Sequence, residues 1–132
     1  MKYLKIVDLA RVLEVDYDFL QKYLKKESER FNSVFGKYDL NQFIELHTYP
    51  QSASNIPKEK IDVNLLAEGG VLSIPEAHEM LLKEGIHVHY TTVWRRIKSK
   101  NVTHIRIGAA IRVPIYILNR EIEKGTFSRK KK

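Results

Sequence analysis

The sequence predicts a mainly α fold with small β-hairpins, arranged as two tandem modules of one order: helix, turn, helix, hairpin, helix. Three observations lead there. Apolar residues recur at three- and four-residue spacing in several short stretches, as in helices that bury one face. Apolar residues alternate with polar ones on both sides of Gly108, which marks two strands joined by a tight turn. The spacing of the first half returns in the second. At 132 residues the chain suffices for one domain, or for two small ones sharing a core.

Ile6, Leu9, Ala10 and Leu13 place a first helix over Ile6 to Leu13. Val15 to Asp18 follow as a turn. Asp16 is suited to cap the next helix, Tyr17 to Lys26, by accepting a bond from an unpaired N–H of its first turn. Phe31, Val34, Phe35 and Tyr38 are β-prone around Gly36-Lys37 and predict a very short hairpin. Asp39 is a second N-cap, opening a helix over Leu40 to His47. The polar stretch Thr48 to Asn55, with Pro50 and Pro57 in or beside it, predicts a linker. Ile61 to Leu66 is either a short helix or an extended piece packing back on one half. Boundaries follow: residues 1–48, a linker at 49–70, a second module at 71–125 and a basic tail at 126–132.

In the second module Ser73 and Glu76 form a capping box, each satisfying a free N–H at a helix start. Pro75 stands in the first turn, where a missing N–H costs nothing. That helix ends near Lys83 at Glu84-Gly85, and Ile86 to His89 make a long turn. Thr91 to Lys98 is a helix with Val93 and Ile97 on its apolar side, capped by Thr91 or Thr92. Val102 to Ile107 and Ile111 to Pro114 are the hairpin strands, and Ile115 to Lys124 the last helix, stopped by Gly125. Between the halves, Leu9-Ala10 corresponds to Glu76-Ala77, Leu20 and Leu24 to Val93 and Ile97, Gly36 to Gly108, and Leu40 with Phe43 to Ile115 with Leu118.

Composition narrows the function. The net charge is +7, and its distribution is uneven: residues 1–48 are neutral, 49–70 carry −1, and 71–132 carry +8. Half of that last excess remains without Arg129 to Lys132. A polyanion partner for the second half is implied. No apolar run approaches a membrane span, and Asp8 comes too early for a signal peptide. Without cysteine there are no disulfides, thiol nucleophiles or cysteine-based zinc sites, which fits a cytoplasmic setting. His87 and His89, with His78 and His104, invite a metal reading but lack a fourth-ligand pattern. Carboxylates occur singly, Ser73 is better used as a cap, and no glycine cluster forms a phosphate loop. No catalytic residue, metal or cofactor is expected.

The stretch Tyr90-Thr91-Thr92-Val93-Trp94-Arg95-Arg96-Ile97-Lys98-Ser99-Lys100 joins one apolar face to a strongly basic one, which suits a helix lying in a DNA groove. Residues 72–124 resemble the excisionase-type winged helix-turn-helix module, related to the MerR-type DNA-binding domain. The likeness lies in Leu72 to Ala77, in Tyr90 to Lys98, and in Ile105 to Gly108 continuing through Arg112 to Pro114. Residues 4–47 resemble it more distantly. Asp16, Asp18 and Gln21 stand there where the family has hydroxyl and basic side chains. The resemblance implies two tandem winged helix-turn-helix modules, with the second helix entering the major groove and the hairpin touching backbone or minor groove.

On that reading the DNA-binding residues are Tyr90, Thr91, Thr92, Arg95, Arg96, Lys98, Lys100, Arg106 and Arg112. Arg95 and Arg96 would read guanine, and Thr91, Thr92, Lys98 and Lys100 would meet phosphates. Arg106 and Arg112 would enter a narrow minor groove. Trp94 is weighted toward core packing, and Tyr90 is divided between core and phosphate. The implied function is an excisionase-like architectural factor at recombination sites, cytoplasmic and nucleoid-associated. Its partners would be double-stranded DNA and an integrase or recombinase, or a second copy of itself. The alternatives are a small transcriptional regulator or plasmid or phage maintenance factor, and a protein-interaction adaptor acting through the first half.

Overall fold

In the computed structural model, residues 3–28, 33, 35–54 and 56–127 are described. They form β1 (Tyr3–Lys5), α1 (Ile6–Leu13), α2 (Tyr17–Lys26), β2 (Lys37–Asp39), α3 (Leu40–Leu46), β3 (Thr48–Tyr49), α4 (Val63–Gly69), β4 (Val71–Leu72), α5 (Ile74–Lys83), α6 (Tyr90–Ser99), β5 (His104–Ile107), β6 (Ala110–Pro114) and α7 (Ile115–Glu123). The fold is therefore mainly helical, with two small antiparallel sheets.

The helices begin where capping chemistry allows. Asp16 accepts from the Phe19 N–H at 3.0 Å, and Asp39 from those of Asn41 and Gln42. Ser73 and Glu76 close the capping box over α5. Each helix then buries one stripe. The fully covered side chains Leu9, Leu13, Leu20, Leu40, Phe43 and Ile44 line the first half; Leu81, Val93, Ile97, Ile105, Val113 and Leu118 line the second. Each such aliphatic contributes about 1.5–3 kcal/mol relative to exposure. All belong to one connected core, which Leu66 and Ile61 also join.

Strand pairing gives the two halves the same plan. β1 precedes α1 and pairs antiparallel with β2, which precedes α3. β4 precedes α5 and pairs antiparallel with β6, which precedes α7. Counted from these helix starts, Ile6 matches Ile74 and Leu9 matches Ala77, one residue away from the correspondence inferred from sequence. Leu20 and Leu24 do match Val93 and Ile97, because α2 and α6 both start at a tyrosine.

β2 pairs with β1, at the start of the chain; Phe31 and Val34, on which the expected first hairpin rests, lie outside the described residues. The segment 49–70, expected as a linker with Ile61 to Leu66 packing back, holds secondary structure that packs on its neighbours. Thr48 and Tyr49 pair with Ile105 and His104, so the second sheet has the order β3-β5-β6-β4. Ile61 and Leu66 are buried, the latter within α4, which is capped by Asp62 and ended by Gly70. Two apolar residues are enough to anchor a seven-residue helix to a core, yet too few to stand out as a periodic pattern.

The halves interlock further. Tyr23 Oη donates to His47 Nε2 at 2.6 Å, while His47 Nδ1 donates to the Phe43 carbonyl, tying α2 to α3. The His47 carbonyl accepts the Arg106 N–H at 2.9 Å. At the β5–β6 turn Gly108 adopts φ +59°, and the Phe19 ring of α2 lies against it. Glu59 holds Arg120 of α7 and accepts from the Thr103 hydroxyl. The Arg120 guanidinium, through these hydrogen bonds, draws the Glu59 carboxyl below the usual carboxylate range.

Candidate nucleic-acid interface

α6 is seated by Val93 and Ile97, both fully buried. Its start is capped by His89 rather than by Thr91 or Thr92: the imidazole Nδ1 accepts from the Thr91 N–H at 3.3 Å. A neutral imidazole nitrogen does here what a carboxylate oxygen does in α2 and α3, and the helix consequently begins one residue earlier than expected. The Thr91 hydroxyl lies 3.0 Å from the same nitrogen.

With Val93 and Ile97 turned inward, helical geometry turns Thr91, Arg95 and Lys98 outward. All three are exposed. Arg95 carries no internal hydrogen bond or ion pair among the described residues. Lys100, at the C-cap, is exposed as well, and Thr92 is half-buried. Tyr90 is 43% exposed, its ring meeting His78 edge-on at 5.8 Å, which divides it between packing and surface. Two shallow open concavities flank this ridge and share Thr91 and Trp94. One, about 370 Å³, runs toward Ser73, the start of α5 and the β5–β6 turn; the other, about 400 Å³, runs toward Arg95 and Lys98. From Gly85 to Arg120 the chain has no Asp or Glu, so no acidic side chain of that stretch opposes the cations.

Two other arginines, Arg96 and Arg112, are engaged inside the protein. Arg96 leaves α6 on the flank away from Trp94 and donates to the Thr126 carbonyl at 2.8 Å. Arg112 reaches across to the first half. Its Nε donates to the Leu13 and Glu14 carbonyls at 3.1 and 3.2 Å, and its Nη2 to Glu14 at 2.8 Å. These carbonyls lie at the end of α1, where no intrahelical donor follows. Glu14 itself takes a left-handed conformation, φ +53°, that closes the helix. Arg112 is thus a cap for α1, not a side chain projecting from a free hairpin tip.

Arg106 has a different setting. Its guanidinium carbon lies 4.7 Å from the Tyr49 ring centre and 5.5 Å from that of Trp94. Its Nε donates to His104 Nε2 at 3.0 Å. His104 is buried, with Nδ1 donating to the Val102 carbonyl at 2.8 Å, which leaves Nε2 as an acceptor. Burial, with a smaller contribution from the Arg106 charge, brings the His104 pKa down to about 4 and keeps the ring neutral. Trp94 is half-buried, edge-on to His104 at 5.5 Å, with Lys98 Nζ 5.5 Å from its centre. Its role is shared between core and surface.

Sequence reasoning missed Tyr49 and His104 as parts of this surface. Tyr49 stands in a two-residue strand, too short for a periodic signature, and His104 in the sequence invites only a metal reading. His78, His89 and His104 each turn a ring nitrogen to a different internal partner. No protein-family model matches the chain, and no curated protein or solved structure does either.

Proposed function

We propose that this chain is a sequence-specific double-stranded DNA-binding protein that lays α6 in the major groove, in the manner of an excisionase-type architectural factor. One observation carries the reading: the outward ridge Thr91–Arg95–Lys98 is exposed on a stretch without carboxylates, while Arg96 and Arg112 are spent on the fold. Arg95 is the base reader, since a guanidinium without an internal partner among the described residues can place two donors on guanine O6 and N7. Lys98 and Lys100 meet phosphates, and Thr91 stands near the free N–H groups of the helix start. Arg96 holds α6 in place. The two modules correspond to a winged helix-turn-helix plan in which the first hairpin strand of the second module is braced by β3.

The biological setting follows the same reading: a small factor near recombination sites, working with an integrase, in the cytoplasm and nucleoid. Among the described residues no helix is long and apolar enough to cross a membrane. Selection from random duplexes, followed by genomic footprinting, tests the proposal. An enriched motif occurring at element ends supports it; enrichment at promoters moves the role to transcription; retention of no duplex over competitor at low salt overturns it.

A further inference from the structure

The side chains of Lys98, Trp94, Arg106 and Tyr49 alternate cation and ring across three elements, α6, β5 and β3. Both cations lie 5.5 Å from the centre of the Trp94 ring, so they are no more than about 11 Å apart. At that separation they repel through water at ordinary salt, where screening extends over roughly 8–10 Å. Neither is paired with a carboxylate among the described residues. The four half-buried arginines of the second half differ in one respect. Arg96, Arg112 and Arg120 each place a terminal guanidinium nitrogen on a carbonyl or carboxylate. Arg106 uses only Nε, on His104, and both its terminal nitrogens are without a partner among the described residues. Tyr49 and Trp94 hold the guanidinium in place while those two nitrogens stay available, which presents a preset fork of the kind that grips a phosphate through two parallel bonds.

We propose that Lys98, Trp94, Arg106 and Tyr49 form a phosphate clamp beside α6 that takes a backbone phosphodiester of the duplex, and that β3, at the junction of residues 1–48 and 49–70, serves DNA binding by supplying its outer wall. The clamp rests on the reading of α6 as the DNA reader. Arg106 and Lys98 touch the oxyanion, and Tyr49 is a positioning residue. The turn from α3 into β3 sets Arg106 twice over, through the Tyr49 ring and through the His47 carbonyl that accepts the Arg106 N–H. The chain before the basic second half then has a part in binding a polyanion without touching it. Arg106 acts at the backbone, beside the ridge that reads bases, rather than in the minor groove.

Trp94 is the only tryptophan, so its emission reports the clamp directly. Wild type, Arg106→Gln, Tyr49→Phe and Tyr49→Leu would be titrated with a random-sequence duplex at several salt concentrations and, separately, with inorganic tripolyphosphate. Thermal melting would verify that each variant is folded. Both probes are expected to change Trp94 emission in the wild type. Arg106→Gln should weaken both by about five- to tenfold and lower the salt slope for the duplex by about 0.9, the loss of one phosphate contact. Tyr49→Leu should do the same in part, and Tyr49→Phe, which keeps the ring, should not. A duplex salt slope unchanged in Arg106→Gln, with Trp94 blind to tripolyphosphate, overturns the clamp and leaves the α6 reading standing. Response to tripolyphosphate with no duplex binding keeps the anion site, overturns DNA as its occupant, and fails the α6 reading with it. Should Tyr49→Leu not fold, Arg106→Gln and Tyr49→Phe decide the question.

Discussion

Replacing Arg112 by Met separates a structural arginine from a DNA-contacting one. Methionine keeps the apolar stem in β6 and deletes the donors to Leu13 and Glu14. Hydrogen bonds from a charged group to a carbonyl contribute about 1.5–3 kcal/mol, and the partial exposure of this site argues for the lower part of that range, about 2 kcal/mol. An unfolding entropy of about 2.1 cal/mol/K per residue over a chain of this length makes 2 kcal/mol worth roughly 7 °C. Calorimetric or circular-dichroism melting of R112M should therefore show a Tm lower by about 5–10 °C. Duplex affinity, measured well below that Tm, should change less than threefold, with an unaltered salt slope. An unchanged Tm together with a salt slope lowered by about 0.9 would place Arg112 at the DNA and refute its assignment as the α1 cap.

Arg95→Ala should cost the selected site about 1–3 kcal/mol in a gel shift while leaving random-duplex affinity nearly unchanged, since a bidentate base contact carries sequence information and a phosphate contact does not. His104 gives a pH dependence. Its folded pKa of about 4 lies below the ordinary 6.5, so the unfolded chain takes up the proton first. The associated stability is full above pH 6.5 and is lost as pH falls from there through 4, by up to about 3 kcal/mol. Urea midpoints at pH 7 and pH 4.5 should converge in His104→Gln relative to wild type. Glu59, whose carboxyl Arg120 holds below its usual range, stabilises the fold above pH 4.5 and loses that effect as pH falls through its depressed value. In Glu59→Gln the stability at pH 7 should drop, and less of it should be lost on acidification.

Helices and caps were largely legible in sequence because their signals are local. Asp16, Asp39 and the Ser73–Glu76 pair sit within three residues of the N–H groups they satisfy, and Ile6 to Leu13 repeat within one helical face. The short strands β1, β3 and β4 were not legible, because two or three residues cannot display an alternation. The same limit hid half of the candidate interface. Arg95, Arg96, Arg106 and Arg112 are equivalent cations in a sequence. What distinguishes them is a partner among the described residues: none for Arg95, the Thr126 carbonyl for Arg96, two rings for Arg106 and the end of α1 for Arg112. Trp94 precedes Arg106 by 12 residues and Thr126 follows Arg96 by 30, and no spacing rule reaches from Glu14 to Arg112.

That long reach bears on how the protein is made. A ribosome adding about 5–20 residues per second exposes the end of α1 roughly 5–20 s before Arg112 has been joined to the chain. β3 likewise waits for β5, and Glu59 for Arg120. The first half therefore emerges with open carbonyls and an unpaired strand, which chaperones and proteases can engage during that interval. Synthesis closes from the back: the last hairpin to appear is the piece that completes the module made first.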